Sequence, residues 1–154
     1  GYRDAQVERA LAKVAVNDAS YLVQADALRA LGRTKQEAVA MKVLEAGLKR
    51  PSWSDVVSSG AVEGLGSLRT EAAAQRIEAL TRYGAPPRTR MRAVSALAAA
   101  RPDKRTRELL ADCLRDRDPM FRTSVAHALA DLDDAAARGI LAEGLERALT
   151  CVDS

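Results

Sequence analysis

Val23-Gln-Ala-Asp-Ala-Leu-Arg-Ala-Leu31 returns in outline three times, as Val57-Ser-Ser-Gly-Ala-Val-Glu-Gly-Leu65, Thr89-Arg-Met-Arg-Ala-Val-Ser-Ala-Leu97 and Phe121-Arg-Thr-Ser-Val-Ala-His-Ala-Leu129. The closing leucines stand 34, 32 and 32 residues apart. A fixed period of this length marks a solenoid, in which one supersecondary unit cannot cover its own apolar face and stacks on copies of itself. With the leucines in register, Ala27, Ala61, Ala93 and Val125 share a column, and Leu28, Val62, Val94 and Ala126 share the next. The phrase-opening residue and these two columns precede the leucine by 8, 4 and 3 positions, the spacing of one face of an α-helix. That face is expected to be core.

Working upstream, Ser20, Ser54, Pro86 and Asp118 occupy one column, and Ser and Asp there are expected to cap a helix start. Pro87 and Pro119 follow at the first helical position, where a missing N–H costs nothing. Between these helices lies a second set with period near 3.6: Val7/Leu11/Val14, Val39/Val43 with Leu44/Leu48, Ala73/Ile77/Leu80, Leu110/Cys113/Leu114 and Leu141/Leu145/Leu149. Thr34, Thr70, Asp103 and Asp133 are expected to cap their starts. Short turns such as 17–19, 50–53 and Arg101-Pro102 join the helices. The expectation is an all-α superhelix of about four helical hairpins plus a final helix, forming one domain over 1–154. The repeats fall at about 3–32, 34–66, 70–100 and 103–131, with the last helix at 134–149.

Composition agrees. Alanine fills 31 positions while aromatic residues make up 3%, so small side chains are expected to let helices approach closely around a thin core. No apolar run approaches the ~18 residues of a membrane span, and two cysteines, Cys113 and Cys151, are too few for a disulfide framework. A reducing cytoplasm is the expected compartment. The start Gly1-Tyr2-Arg3, without methionine, is that expected of a fragment of a larger protein.

The hairpin unit, with Val-x-x-x-Ala-[Leu/Val]-x-x-Leu in its second helix, resembles the HEAT-repeat family in its short bacterial form, over residues of about 3–149. The aromatic offsets of tetratricopeptide repeats and the Thr-Pro-Leu-His turn of ankyrin repeats do not recur. Ser20-Tyr-Leu-Val-Gln-Ala-Asp-Ala-Leu-Arg-Ala-Leu-Gly32, together with Lys49-Arg-Pro-Ser-Trp-Ser-Asp-Val-Val57 running on to Gly64-Leu-Gly66, is also similar to the C-terminal HEAT region of zinc aminopeptidases of the aminopeptidase N type. That likeness implies a non-catalytic region that helps enclose a catalytic chamber. The family's zinc-binding histidine pair is absent, so no catalytic residue carries over.

A zinc hydrolase needs about three protein ligands, and the chain has one histidine. His127 shares its column with Arg29, Glu63 and Ser95, which is expected of a solvent-facing position. Cys113 reads as a small apolar packer, Cys151 as a tail residue without an activating base, and the Asp116/Asp118 and Asp133/Asp134 pairs as caps. No catalytic residue, cofactor or metal is expected. Trp53 sits in a turn, where packing over that turn is the default and a binding anchor the alternative.

Charge is uneven. The run from Arg82 to Arg107 holds eight basic residues and the single acid Asp103, or +7, against −4 for the rest. Arg88 and Arg92, one turn apart, and Arg105 beyond them are the residues expected on an interaction surface, with Trp53 as a further candidate. The leading expectation is a non-catalytic HEAT scaffold or protein-interaction module whose partner is a protein or a neighbouring domain of its parent chain, with no membrane contact. One alternative is a nucleic-acid-binding HEAT protein gripping phosphates with Arg88–Arg107. Another is a bilin-lyase-like protein, which short bacterial HEAT repeats also resemble, although no constellation of ionisable residues nominates a site.

Overall fold

The computed structural model describes residues 5–34 and 36–150, and among them every regular element is helical. Nine α-helices follow in order: α1 (Ala5–Asn17), α2 (Tyr21–Arg33), α3 (Glu37–Leu48), α4 (Val56–Leu68), α5 (Glu71–Leu80), α6 (Pro87–Ala100), α7 (Lys104–Cys113), α8 (Pro119–Asp131) and α9 (Ala135–Thr150). A short 3₁₀ turn, Trp53–Asp55, precedes α4. Odd and even helices form two rows: α1, α3, α5 and α7 each pack against the even helix that follows in the chain, and α9 packs against α8 before it. The arrangement is an all-α solenoid. No helix among the described residues is long and apolar enough to cross a membrane.

The repeating leucines and the column four positions before them form the spine of the core. Leu31, Leu65, Leu97 and Leu129 are fully buried, as are Ala61, Ala93 and Val125, with Ala27 4% exposed. Burying one leucine side chain contributes about 1.5–3 kcal/mol, so this column alone commits the even helices to face inward. The odd helices add Leu44, Ala73, Ile77 and Leu110. Two residues of the final helix's expected stripe, Leu145 and Leu149, and Cys151 lie outside the described side chains.

The phrase-opening column behaves differently in the first repeat. Thr89 of α6 meets Ser58 of α4, with 3.1 Å between hydroxyl oxygens, and the Phe121 ring of α8 lies under Arg90 of α6. This column therefore packs against the preceding even helix. Val23 belongs to α2, which has none, and it remains 43% exposed where Val57, Thr89 and Phe121 are buried.

Helix starts agree with expectation at Ser20, Thr70, Asp103 and Asp118, whose side chains accept backbone N–H groups of Val23, Ala73, Thr106 and Met120. Three expected caps are displaced. Ser54 lies inside the 3₁₀ turn with φ 56°, and Ser52 Oγ instead accepts the Val57 N–H at 3.0 Å. Thr34 ends α2, donating its hydroxyl to the Leu31 carbonyl at 2.8 Å. Asp133 takes a left-handed φ of 46° as the chain leaves α8, and Asp134 caps α9 through the Ala137 N–H. The cap thus moves two residues upstream to Ser52 before α4 and one residue downstream to Asp134 before α9, while α3 starts after Gln36 without a side-chain cap.

The two rows are spaced by different chemistry. Even helices approach backbone to backbone: a Cβ on Gly60 of α4 would lie 2.7 Å from the Cα and carbonyl oxygen of Ala25 in α2. Odd helices are bridged across repeats by long side chains, with Arg76 of α5 on Glu45 of α3, Arg105 of α7 on Glu78 of α5, and Arg107 of α7 on Asp134 at the head of α9. A row spaced by glycine and alanine is shorter than one spaced by arginine–carboxylate pairs. The even helices are the more closely packed row, called the inner side below.

Candidate functional site

The outward-facing columns of the even helices build a groove on that inner side. Nine positions before each repeating leucine stand Leu22, Val56, Arg88 and Met120; two positions before it stand Arg29, Glu63, Ser95 and His127. These positions lie on the helix face opposite the core columns. All four of the first set, with Arg29, Ser59, Met91, Arg92, Ser95, Ser124 and His127, line a groove of about 630 Å³ that crosses α2, α4, α6 and α8. Leu22 and Met120 are 66% and 65% exposed there. They are the most exposed large aliphatic side chains among the described residues.

A second hollow of about 530 Å³ adjoins the first through Arg92 and Ser95, toward the C-terminal ends of the same helices, where Arg33, Arg69 and Ser67 face it. Glu63 lies between the two, engaged by Arg29 on one side and by Arg92 at 3.5 Å on the other. Arg29 also holds Asp26 at 2.6 Å. Arg33, Arg69 and Arg88 form no ion pair among the described residues.

The basic run does not act as one patch. Arg90 is buried, donating to Asp116 at 2.6 Å and to the Thr81 carbonyl at 3.1 Å while its guanidinium lies 3.9 Å above the Phe121 ring. Arg101 reaches Glu71 at 3.1 Å and Glu78 at 2.9 Å, and Arg105 and Arg107 are held by Glu78 and Asp134. Of the nominated residues, Arg88 and Arg92 meet in the groove. Arg105 is placed apart from them, in the odd row. Trp53, 79% exposed, does not pack over its turn, in which the two residues that follow it, Ser54 and Asp55, take left-handed φ values. His127 is exposed and lines the groove.

Arg29, Leu22, Met91 and Met120, with Arg33 and Arg69 beyond, were missed by reading along the chain. Their signal is columnar, since residues about 32 apart in sequence become neighbours only after the helices stack.

Chemistry elsewhere is quiet. Among the described residues no group of three or more His, Cys, Asp or Glu could hold a metal ion. Burial pushes the half-buried Cys113 thiol up to about 11, with Arg90 opposing and Asp116 and Asp112 adding to the rise, so the thiolate is scarce at neutral pH. Asp116 is held below the ordinary carboxylate range, first by the Arg90 hydrogen bond and then by the Asp118 N–H.

The sequence matches a family model described as HEAT repeats over two overlapping stretches, residues 8–98 and 77–149. No curated protein matches it. The match spans nearly the whole described solenoid, and its helical hairpins are the ones whose columns build the groove; the chain belongs to the HEAT-repeat family.

Proposed function

We propose that this array is a non-catalytic interaction module whose working surface is the groove along the even helices, and that its occupant is a protein segment. The observation that carries the reading is the contrast between the two rows. On the odd row Arg76, Arg105 and Arg107 are held by carboxylates of neighbouring repeats and serve the stack, whereas the even row leaves Leu22, Met120 and Arg88 open to solvent along one groove. A solenoid gains function by presenting such an extended inner surface.

The occupant belongs either to a separate partner or to a neighbouring domain of a parent chain. The resemblance of 20–32 and 49–66 to the C-terminal HEAT region of aminopeptidase N-type enzymes supports the second source and makes a zinc-peptidase domain the parent's catalytic part. A zinc-protease signature encoded upstream in the same reading frame supports that parentage; a frame without one removes it.

The surface itself is tested by selecting binders from a displayed random-peptide library and competing them against two variants. Ser95→Trp fills the groove, and Lys42→Trp places the same bulk on the odd row. Loss of binding to Ser95→Trp alone is the expected result. Retained binding to Ser95→Trp, or a library that yields no binder, contradicts the reading.

A further inference from the structure

We propose that the segment received by the groove is acidic and amphipathic, with its apolar side chains seated on Leu22, Met91 and Met120 and its carboxylates directed at Arg88 and toward Arg33 and Arg69. This rests on the groove being the working surface and adds the chemistry of what it takes.

Two features of the surface coincide. The first is charge: three arginines and no carboxylate line the groove, and the adjoining hollow sets Arg33, Arg69 and Arg92 against Glu63 alone. Glu63 is already engaged by Arg29 and Arg92, which leaves Arg33, Arg69 and Arg88 as three cations without an internal partner among the described residues. A surface of this sign steers and selects a partner of opposite sign. The second feature is apolar area within the same groove, where Leu22 and Met120 are about two-thirds exposed and Met91 lies between them. Methionine adapts to varied apolar shapes, so it suits a site that takes side chains and excludes water from them.

A nucleic acid would use the cations and gain nothing from the apolar side chains, because no aromatic side chain lines either hollow to stack a base. A segment carrying leucine-like anchors every three or four residues, with glutamates between them, uses both features at once.

The test is fluorescence anisotropy with four labelled probes: a helical peptide of Glu and Leu, the same peptide with Ser for each Leu, the same peptide with Lys for each Glu, and a short DNA duplex. The Glu/Leu peptide is expected to bind best. Serine replacement should weaken it about tenfold or more, and its affinity should fall as salt rises. The lysine peptide should not bind. The double change Arg33→Glu and Arg69→Glu, at exposed positions whose helical spectrum should be unaltered, is expected to weaken the Glu/Leu peptide about tenfold at low salt, with the difference shrinking at high salt. Equal binding of the serine peptide and the duplex would overturn the proposal in favour of a general polyanion surface. Preference for the lysine peptide, or groove binding by neutral library peptides only, overturns the acidic chemistry while leaving the working surface intact. Absence of any ligand from the even helices defeats both.

Discussion

Gly32 of α2 and Gly64 of α4 meet backbone against backbone, so that a Cβ added to Gly32 would overlap the Gly64 carbonyl. Contacts of this kind bring α2 and α4 backbone to backbone within the inner row, and the groove crosses both helices.

Gly32→Ala should therefore cost stability even though alanine is the better helix former. Forcing the two helices apart is expected to lower the unfolding free energy by about 1–3 kcal/mol, read from urea denaturation. Gly139, in α9, has nothing within 4 Å of an added Cβ, and Gly139→Ala should gain about 0.5–1 kcal/mol. Opposite signs at two helical glycines separate close packing from propensity.

The phrase-opening column makes a paired prediction. Val57 is fully buried and Val23, its counterpart without a preceding even helix, is 43% exposed. Val57→Ala removes two methyl groups from the core and should cost about 2 kcal/mol, against about 0.5 kcal/mol for Val23→Ala. On the same scale, Leu65→Ala or Leu97→Ala should cost about 2–5 kcal/mol and His127→Ala no more than about 0.5 kcal/mol. Equal losses at buried and exposed positions would mean that the inward columns are misassigned.

Arg90 and Asp116, 8% and 14% exposed, form a pair that joins the third repeat to the turn leading into α8. Removing either partner strands a charge, so Arg90→Ala should destabilise by about 3–5 kcal/mol, part of it through the lost contact with Phe121. A double-mutant cycle with Asp116→Ala should return a coupling of about 1 kcal/mol or more. Additive losses would show that the two residues act separately.

Acid should weaken the fold, and the sign follows from four carboxyls held below their ordinary range. The Arg90 hydrogen bond does this to Asp116, the Thr106 N–H to Asp103 and the Ala137 N–H to Asp134; burial alone would raise Glu78, but hydrogen bonds from Arg101 and Arg105 outweigh it. These groups accept protons in the unfolded chain at higher pH than in the native one. The stability they confer is complete above the ordinary carboxylate range, about pH 5, and is lost progressively as pH falls through the lower native values. Urea midpoints should match at about pH 7 and 5 and fall at about pH 3. A midpoint that rises on acidification would contradict the assignment.

Much of the scaffold was legible because each column repeats the same physical demand. An inward leucine and an alanine or valine four positions earlier appear four times, and agreement among copies outweighs the ambiguity of any one. What was not legible belongs to single copies. The left-handed pair Ser54 and Asp55, beside the exposed Trp53, occurs in one turn only, and the extra residue at Asp133 moves a cap to Asp134. The candidate surface was half legible. Arg88 and Arg92 could be found from local spacing, whereas Arg29, Arg33 and Arg69 join them only once helices from successive repeats lie side by side. The contiguous basic run misled because Arg90, Arg101, Arg105 and Arg107 find carboxylates in neighbouring repeats, which proximity along the chain does not reveal.

Amide hydrogen exchange with and without the Glu/Leu peptide tests the inner row as the working surface most directly. Added protection should fall on α4 and α6, centred on Ser59, Met91 and Ser95, with α3, α5 and α7 unchanged. Protection confined to the odd helices would contradict it.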